Sequence, residues 1–288
     1  MKLTGKNFSF PEKKGFTPSE KQGIYHFKNI IEHEEVMNFF PKCACAFFLA
    51  SLLWTAPPHA QAEALTVSAA SSLTEAFTVL AKEFTSASGI EIQLNFASSN
   101  NLLRQMQSGA PVDVFASADQ ATMDRAAGAK LIRPESRRNM AKNTLVLISP
   151  AQSRPLVLAD LAEAGVTRIA VGTPASVPAG RYAKEALSHA GLWDTLEPKF
   201  VYGSNVRQVL AYVQRGEADA GIVYGTDALA MADRVRVEAV LEGHSPVSYP
   251  IAVTASAANP DEAGRFLTYV LSKQGQAVLA RFGFCGID

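Results

Sequence analysis

The chain of 288 residues predicts an α/β fold in two lobes, each a mostly parallel sheet flanked by helices, joined by two crossings. Three observations carry that prediction. Short apolar runs of strand type alternate with stretches of helical period from residue 65 onward, which is the rhythm of βα units. A second set of apolar runs between residues 144 and 224 is able to form a sheet and core of its own. If the opening and closing segments share one lobe, the chain crosses near residues 140–144 and again near 238–250. The expected division is residues 63–143 with 249–288 in lobe 1, and 144–248 in lobe 2.

Residues 1–62 stand apart. Residues 1–36 are polar, mixed in charge and without a sustained period, whereas 43–54 are apolar and lead into a proline- and alanine-rich stretch ending Ala60-Gln61-Ala62. An apolar run followed by an Ala-x-Ala sequence reads as a secretory signal peptide. The run is too short to cross a bilayer, which takes roughly 20 residues. Met37, with Lys42 close behind it, supplies a compact basic start, so residues 1–36 read as a non-structural extension. The expected mature chain is residues 63–288.

Within it the elements follow in order. Residues 65–70 form a strand, and Leu73, Ala76, Phe77, Leu80, Ala81 and Phe84 recur at helical spacing until Gly89 stops them. Residues 90–96 are a second strand. Leu102, Leu103 and Met106 mark a helix ending at Gly109, and 112–116 form a third strand. In the middle segment, strands are expected at 144–148, 168–172 and 220–224, with helices at 180–190 and 206–214 closed by Gly191 and Gly216. The strand at 249–253 leads through Asn259-Pro260 into a helix carrying Ala263, Phe266, Leu267, Val270 and Leu271, and a last helix covers 272–282.

Composition narrows the function classes. The whole chain has 27 basic and 27 acidic side chains; without the seven lysines and five glutamates of residues 1–62, 20 and 22 remain, a net charge of −2. No basic field points to nucleic acid or an anionic membrane. Cys285 is the one cysteine after residue 62, so neither an internal disulfide nor a thiolate metal cluster is expected; it reads as a partly buried small hydrophobe. His189 and His244 are the histidines of the mature chain, too few for a histidine metal site. No nucleophile elbow, phosphate loop or zinc helix motif is present. Asp113, Asp119, Asp219 and Asp227 read as caps and supporting groups rather than as the facing carboxylate pair of a glycosidase.

Two serine-bearing runs, Ala70-Ser71-Ser72-Leu73-Thr74-Glu75 and Phe96-Ala97-Ser98-Ser99-Asn100-Asn101, occupy the same place in successive βα units. Parallel sheets bind ligands at the carboxyl ends of their strands, and both runs lie there. Hydroxyls and first-turn amides gathered in this way suit a small oxyanion held by neutral donors. Each residue also has a plainer reading. Ser72, three residues before Glu75, fits a capping box, and Ser99 sits in a polar turn. Pro178 and Ala179 open the helix that carries Arg181, and Ala179 has only its amide to offer; Arg181 is either an anion ligand or a carboxylate partner. Val206 opens the next helix with its amide, and Tyr224 ends a buried strand with its hydroxyl either in the cleft or at the rim.

Taken together, Ala69-Ala70-Ser71-Ser72-Leu73-Thr74-Glu75-Ala76, Phe96-Ala97-Ser98-Ser99, the run from Gly109 to Asp119, the run from Val177 to Leu187, and that from Gly221 to Ala228 resemble the periplasmic molybdate-binding proteins of ABC transporters. The similarity spans residues 65–284. It implies a two-lobed periplasmic solute-binding fold, no catalysis and no cofactor. The implied ligand is molybdate or tungstate, held as an oxyanion by Ser72, Ser99, Ala179, Val206 and Tyr224, with no protein atom bonded to the metal. The implied partner is an inner-membrane permease, and a monomer is expected. Ser71 stands where the family commonly has alanine, and Arg181 matches a place where no positive ligand is required. Another tetrahedral oxyanion such as sulfate is the alternative ligand. A serine hydrolase is the alternative from a different class, lacking a histidine that spacing places beside Ser72 or Ser99.

Overall fold

The computed structural model describes residues 64–287; the expected leader and the Met37 start lie outside them. The chain runs through β1 (Leu65–Ala70), α1 (Thr74–Ser88), β2 (Ile92–Ala97), α2 (Ser99–Gln107), β3 (Val114–Ala116), α3 (Gln120–Gly128) and β4 (Arg138–Lys142). It continues with β5 (Leu145–Pro150), β6 (Ile169–Gly172), α4 (Pro178–His189), α5 (Trp193–Leu196), β7 (Phe200–Gly203), α6 (Val206–Gln214), β8 (Ala220–Tyr224), α7 (Gly225–Ala230) and β9 (Val235–Val240). The last elements are β10 (Ser248–Val253), α8 (Pro260–Leu271) and α9 (Lys273–Arg281).

Two five-stranded sheets result, in the orders β2-β1-β3-β10-β4 and β7-β6-β8-β5-β9. In each, three strands are parallel and are joined by helical crossovers. The other two strands make the antiparallel pairs, and these are the strands that enter or leave a sheet at a crossing. β4 belongs to the first sheet and β5 to the second, so one crossing is the dipeptide Asn143-Thr144; the other lies between β9 and β10. The mixed direction follows from this route: β4 and β9 run with the parallel strands of their sheets and leave at the carboxyl ends, so β5 and β10 enter the other sheet from that same end and run the opposite way.

α1 shows how the pattern becomes packing. Ala76, Phe77, Leu80, Ala81 and Phe84 are all buried, and Phe77 and Phe84 meet the Phe266 ring of α8 edge-on at 6.2 and 5.3 Å between centroids. Such contacts add about 0.5–1.5 kcal/mol each beyond burial. Gly89 ends the helix in the left-handed region at φ 76°, its amide bonded to Thr85 O at 2.8 Å.

Two expectations change. Ser72 does not cap α1: residues 71–73 form a turn of 3-10 helix ahead of it, and no side chain caps either segment. The Glu75 carboxylate is drawn instead to Arg207, at 2.8 Å from Nη1, because a full guanidinium charge outcompetes a single amide. Cys285 is exposed rather than partly buried: its backbone bonds Lys142 in both directions, and that edge pairing turns its thiol to solvent while Phe284 takes the buried side.

Candidate functional site

The carboxyl ends of β1 and β8 and the starts of α2, α4 and α6, which follow β2, β6 and β7, converge on one small cavity between the sheets. Ser72, Ser99, Ala179, Val206 and Tyr224 all line it. Its described lining includes no charged side chain.

The local sequence explains why amides are free there. Ser98 is the N-cap of α2, extended at φ −66° and ψ 145°, yet its side chain caps nothing. Its carbonyl takes the amides of Asn101 and Leu102, leaving those of Ser99 and Asn100 without an intrahelical acceptor, as at any helix start. In α4, Pro178 has no N–H to lose, and Gly180 and Arg181 both donate to Val177 O, so the Ala179 amide faces outward from the first turn. In α6 the Asn205 side chain caps Gln208 N at 3.0 Å, which leaves Val206, the first helical residue, free to donate elsewhere. Several helix starts aimed at one point place their positive dipole ends there.

The hydroxyls are equally constrained. Ser99 Oγ, on a fully buried residue, accepts the Ala118 amide at 2.9 Å, so its own proton remains to be donated. Ser72 Oγ lies 2.9 Å from the Tyr249 hydroxyl. Ser98 Oγ and Tyr224 OH are buried with no partner among the described residues, and both line the cavity. A buried unsatisfied hydroxyl costs about 1–3 kcal/mol, so two in one cavity mark a place shaped for something other than protein. Burial pushes the Tyr224 hydroxyl well above the usual phenol range, with Tyr249, Tyr182 and the acidic Asp119 and Asp227 adding to the shift; it stays a neutral donor.

Charge lies around the cavity, already paired. Arg181 forms an ion pair with Asp119, the carboxylate-partner reading rather than the ligand one. Arg207 Nε reaches Asp227 Oδ1 at 2.8 Å. Asp119 also caps α3 through Thr122 N at 3.1 Å, and Asp113 accepts the amides of Thr66 and Ala258, both at 2.8 Å. Among the described residues no cluster of three or more His, Cys, Asp or Glu side chains could hold a metal ion. What the cavity can do is surround a compact polyanion with uncharged N–H and O–H groups.

A family described as bacterial extracellular solute-binding protein matches residues 65–285. The chain belongs to that family. Relatives of this solute-binding protein include the molybdate-binding protein ModA of Escherichia coli (strain K12), 41% identical over 228 residues, covering 76% of this chain and 88% of the relative. The ModA of Haemophilus influenzae is 36% identical over 257 residues, covering 86% and 99%. Among solved structures, the substrate binding domain of a putative molybdenum ABC transporter from Clostridium difficile is 37% identical with a TM-score of 0.61, covering 78% of this chain and 99% of that one. The sulfate-binding protein SubI of Mycobacterium tuberculosis has a TM-score of 0.70 at 15% identity, covering 78% and 87%, a likeness of fold.

Sequence reasoning about this solute-binding protein treated Ser98 only as a turn former and overlooked Tyr249 and Asn143. For Ser98 a signal existed: it repeats the place of Ser71 in the preceding unit, and both line the cavity. For Tyr249 none did, since its hydroxyl meets Ser72 across 177 positions of sequence.

Proposed function

We propose that the protein captures molybdate, or tungstate, as a dehydrated tetrahedral dianion in the periplasm and delivers it to an ABC transporter permease, without catalysing a reaction. The observation that carries this reading is the cavity in which Ser98 and Tyr224 present unpartnered hydroxyls beside Ser72, Ser99 and the free amides of Ala179 and Val206. A buried dianion loses its hydration at great cost, and converging donors with helix dipoles answer that loss without a salt bridge that would hinder release. The molybdate-binding relatives support the same ligand. The secretory leader expected from the sequence, with cleavage after Ala62, supports the compartment.

Sulfate is the second reading, since it too needs only donors. Fixed donors separate the two by size: a smaller anion cannot reach them all at hydrogen-bonding distance, and each misfit costs on the order of 1–3 kcal/mol. Hydrolysis has less support, because Ser72 is bonded to a phenol and Ser99 to an amide, neither of which is a base. The test is competition calorimetry on ligand-free protein with molybdate, tungstate, sulfate and phosphate. Molybdate or tungstate binding at least a hundredfold tighter than sulfate is expected; tight sulfate binding without that preference overturns the assignment.

A further inference from the structure

Two arginines stand beside the cavity without joining its described lining, yet each follows closely on a residue whose amide faces it. Arg207 comes directly after Val206 at the start of α6, and Arg181 comes two places after Ala179 in the first turn of α4. Both helices pack on the second sheet, and both guanidinium groups reach acids that belong with the first. Arg207 holds both oxygens of Glu75, which lies three places after Ser72, with Nη1 at 2.8 Å from Oε1. Arg181 pairs with Asp119, the neighbour of Ala118, whose amide bonds Ser99 Oγ at 2.9 Å.

The two bridges repeat one plan. In each, a helix start of the second lobe that offers an amide is tied to the stretch of the first lobe that offers a serine hydroxyl. The Arg207 bridge has a further arm: its Nε lies 2.8 Å from Asp227 Oδ1, and the other oxygen of Asp227 accepts the Tyr224 amide at 3.2 Å. One planar guanidinium, its fork toward Glu75 and its Nε toward Asp227, thereby joins the segments that carry Ser72, Val206 and Tyr224. A lysine, being a point charge, could not face both acids in this way. Asp119 is anchored as well, since it caps α3 through Thr122 N, and with its side chain 3% exposed it escapes the solvent screening that weakens surface pairs. Lobes that part must break both bridges, because each has an end on either side of the cleft.

We propose that Arg181 and Arg207 are positioning residues, which pin the donors of the second lobe against the serines of the first and retain a captured oxyanion by slowing the reopening of the cleft. This rests on the oxyanion reading above and extends it from affinity to residence time. Neither arginine needs to touch the anion. A guanidinium without a partner would grip the dianion itself, whereas one already neutralised grips the opposite lobe. The sign of the effect separates such bridges from a simple field. Removing the charge of Glu75 or Asp119 leaves a bare arginine near the anion, which by Coulomb attraction alone would tighten binding; where the bridges hold the cleft, the same change loosens it.

Stopped-flow protein fluorescence with molybdate, on wild type, Glu75→Gln and Asp119→Asn, reads association and release separately. Glu75→Gln, at a partly exposed carboxylate, is expected to raise koff about threefold. Asp119→Asn, at a buried one, is expected to raise it about tenfold, with kon within about twofold of wild type in both variants. Unchanged koff in either variant, tighter binding, or a loss carried by kon overturns the proposal. Arg207→Lys keeps the charge and loses the fork, so it is expected to release as fast as Glu75→Gln; release at the wild-type rate would likewise overturn it. Should Asp119→Asn fail to fold, Glu75→Gln and Arg207→Lys decide. Solution X-ray scattering of ligand-free protein needs no anion. If wild type binds none of molybdate, tungstate and sulfate, a larger radius of gyration in Glu75→Gln than in wild type overturns only the oxyanion reading, and an equal one overturns the bridges too.

Discussion

At the scale of single residues, the cavity separates hydroxyls that already have a protein partner from those that have none, and the two kinds should respond differently to removal. Ser72→Ala and Ser99→Ala each delete a hydroxyl that lines the cavity, and each is expected to weaken oxyanion binding at least about tenfold, the worth of one hydrogen bond to a charged group. Ser99→Ala should also destabilise the ligand-free fold, because the buried Ala118 amide loses its acceptor. Ser98→Ala and Tyr224→Phe remove hydroxyls that no group among the described residues satisfies. Both are expected to raise ligand-free stability by about 1 kcal/mol while lowering affinity several-fold, a pairing of signs read by urea unfolding and calorimetry on the same samples. Loss of stability in both variants would show that these hydroxyls serve the fold. Ser72, Ser99 and Tyr224 were legible in the sequence because strand ends in βα units declare themselves locally. The contact of the Tyr249 hydroxyl with Ser72 was not, since strand periodicity says which face a residue occupies and nothing about the distant atom its tip will meet.

At the scale of elements, the strands and helices that carry the site were the most legible, since apolar runs ending in serine or glycine give both the strand and the helix start. The edge strand β4 escaped notice: Arg138, Asn139 and Lys142 are exposed and only Met140 and Ala141 are buried, which leaves almost no apolar signature. β9 escaped for a related reason, Val237 and Val240 being exposed at the edge of the second sheet. The seating of α4 was also hidden. A Cβ on Gly180 would lie 1.9 Å from Gly172 O, and one on Gly172 would lie 2.6 Å from a Val177 methyl, so the first turn of α4 rests directly on the end of β6. This contact sets where the Ala179 amide points. Gly180→Ala is expected to lift the helix start from the strand, reducing affinity at least about tenfold and lowering the melting temperature by several degrees. An alanine variant with unchanged affinity would mean that the Ala179 amide does not contribute.

At the scale of the whole molecule, the two sheets are tied across the cleft by a few polar contacts close to the cavity. Arg207 of α6 takes both oxygens of Glu75 on α1, Arg181 of α4 takes Asp119, and Asn100 of α2 donates to Ala175 O at 3.1 Å. Arg207 is held from behind by Asp227, which is fully buried. Burial pushes the Asp227 carboxyl up to about 6 from an ordinary 3.8, against the opposing pull of Arg207 and the Tyr224 amide. A carboxyl whose pKa is raised by folding binds its proton more tightly in the folded state, so its contribution to stability is present in full below about 3.8 and is lost as pH rises through about 6. Asp227→Asn keeps the shape and the acceptor and removes the titration. Wild type should therefore lose stability relative to Asp227→Asn between pH 4 and pH 7, by on the order of 1–3 kcal/mol, in urea unfolding at four or five pH values. Because Arg207 shares its charge between Asp227 and Glu75, protonating the buried partner leaves the guanidinium wholly to the bond that spans the cleft. A difference between the two proteins that stays flat across that range would mean that the arginine, not burial, governs Asp227.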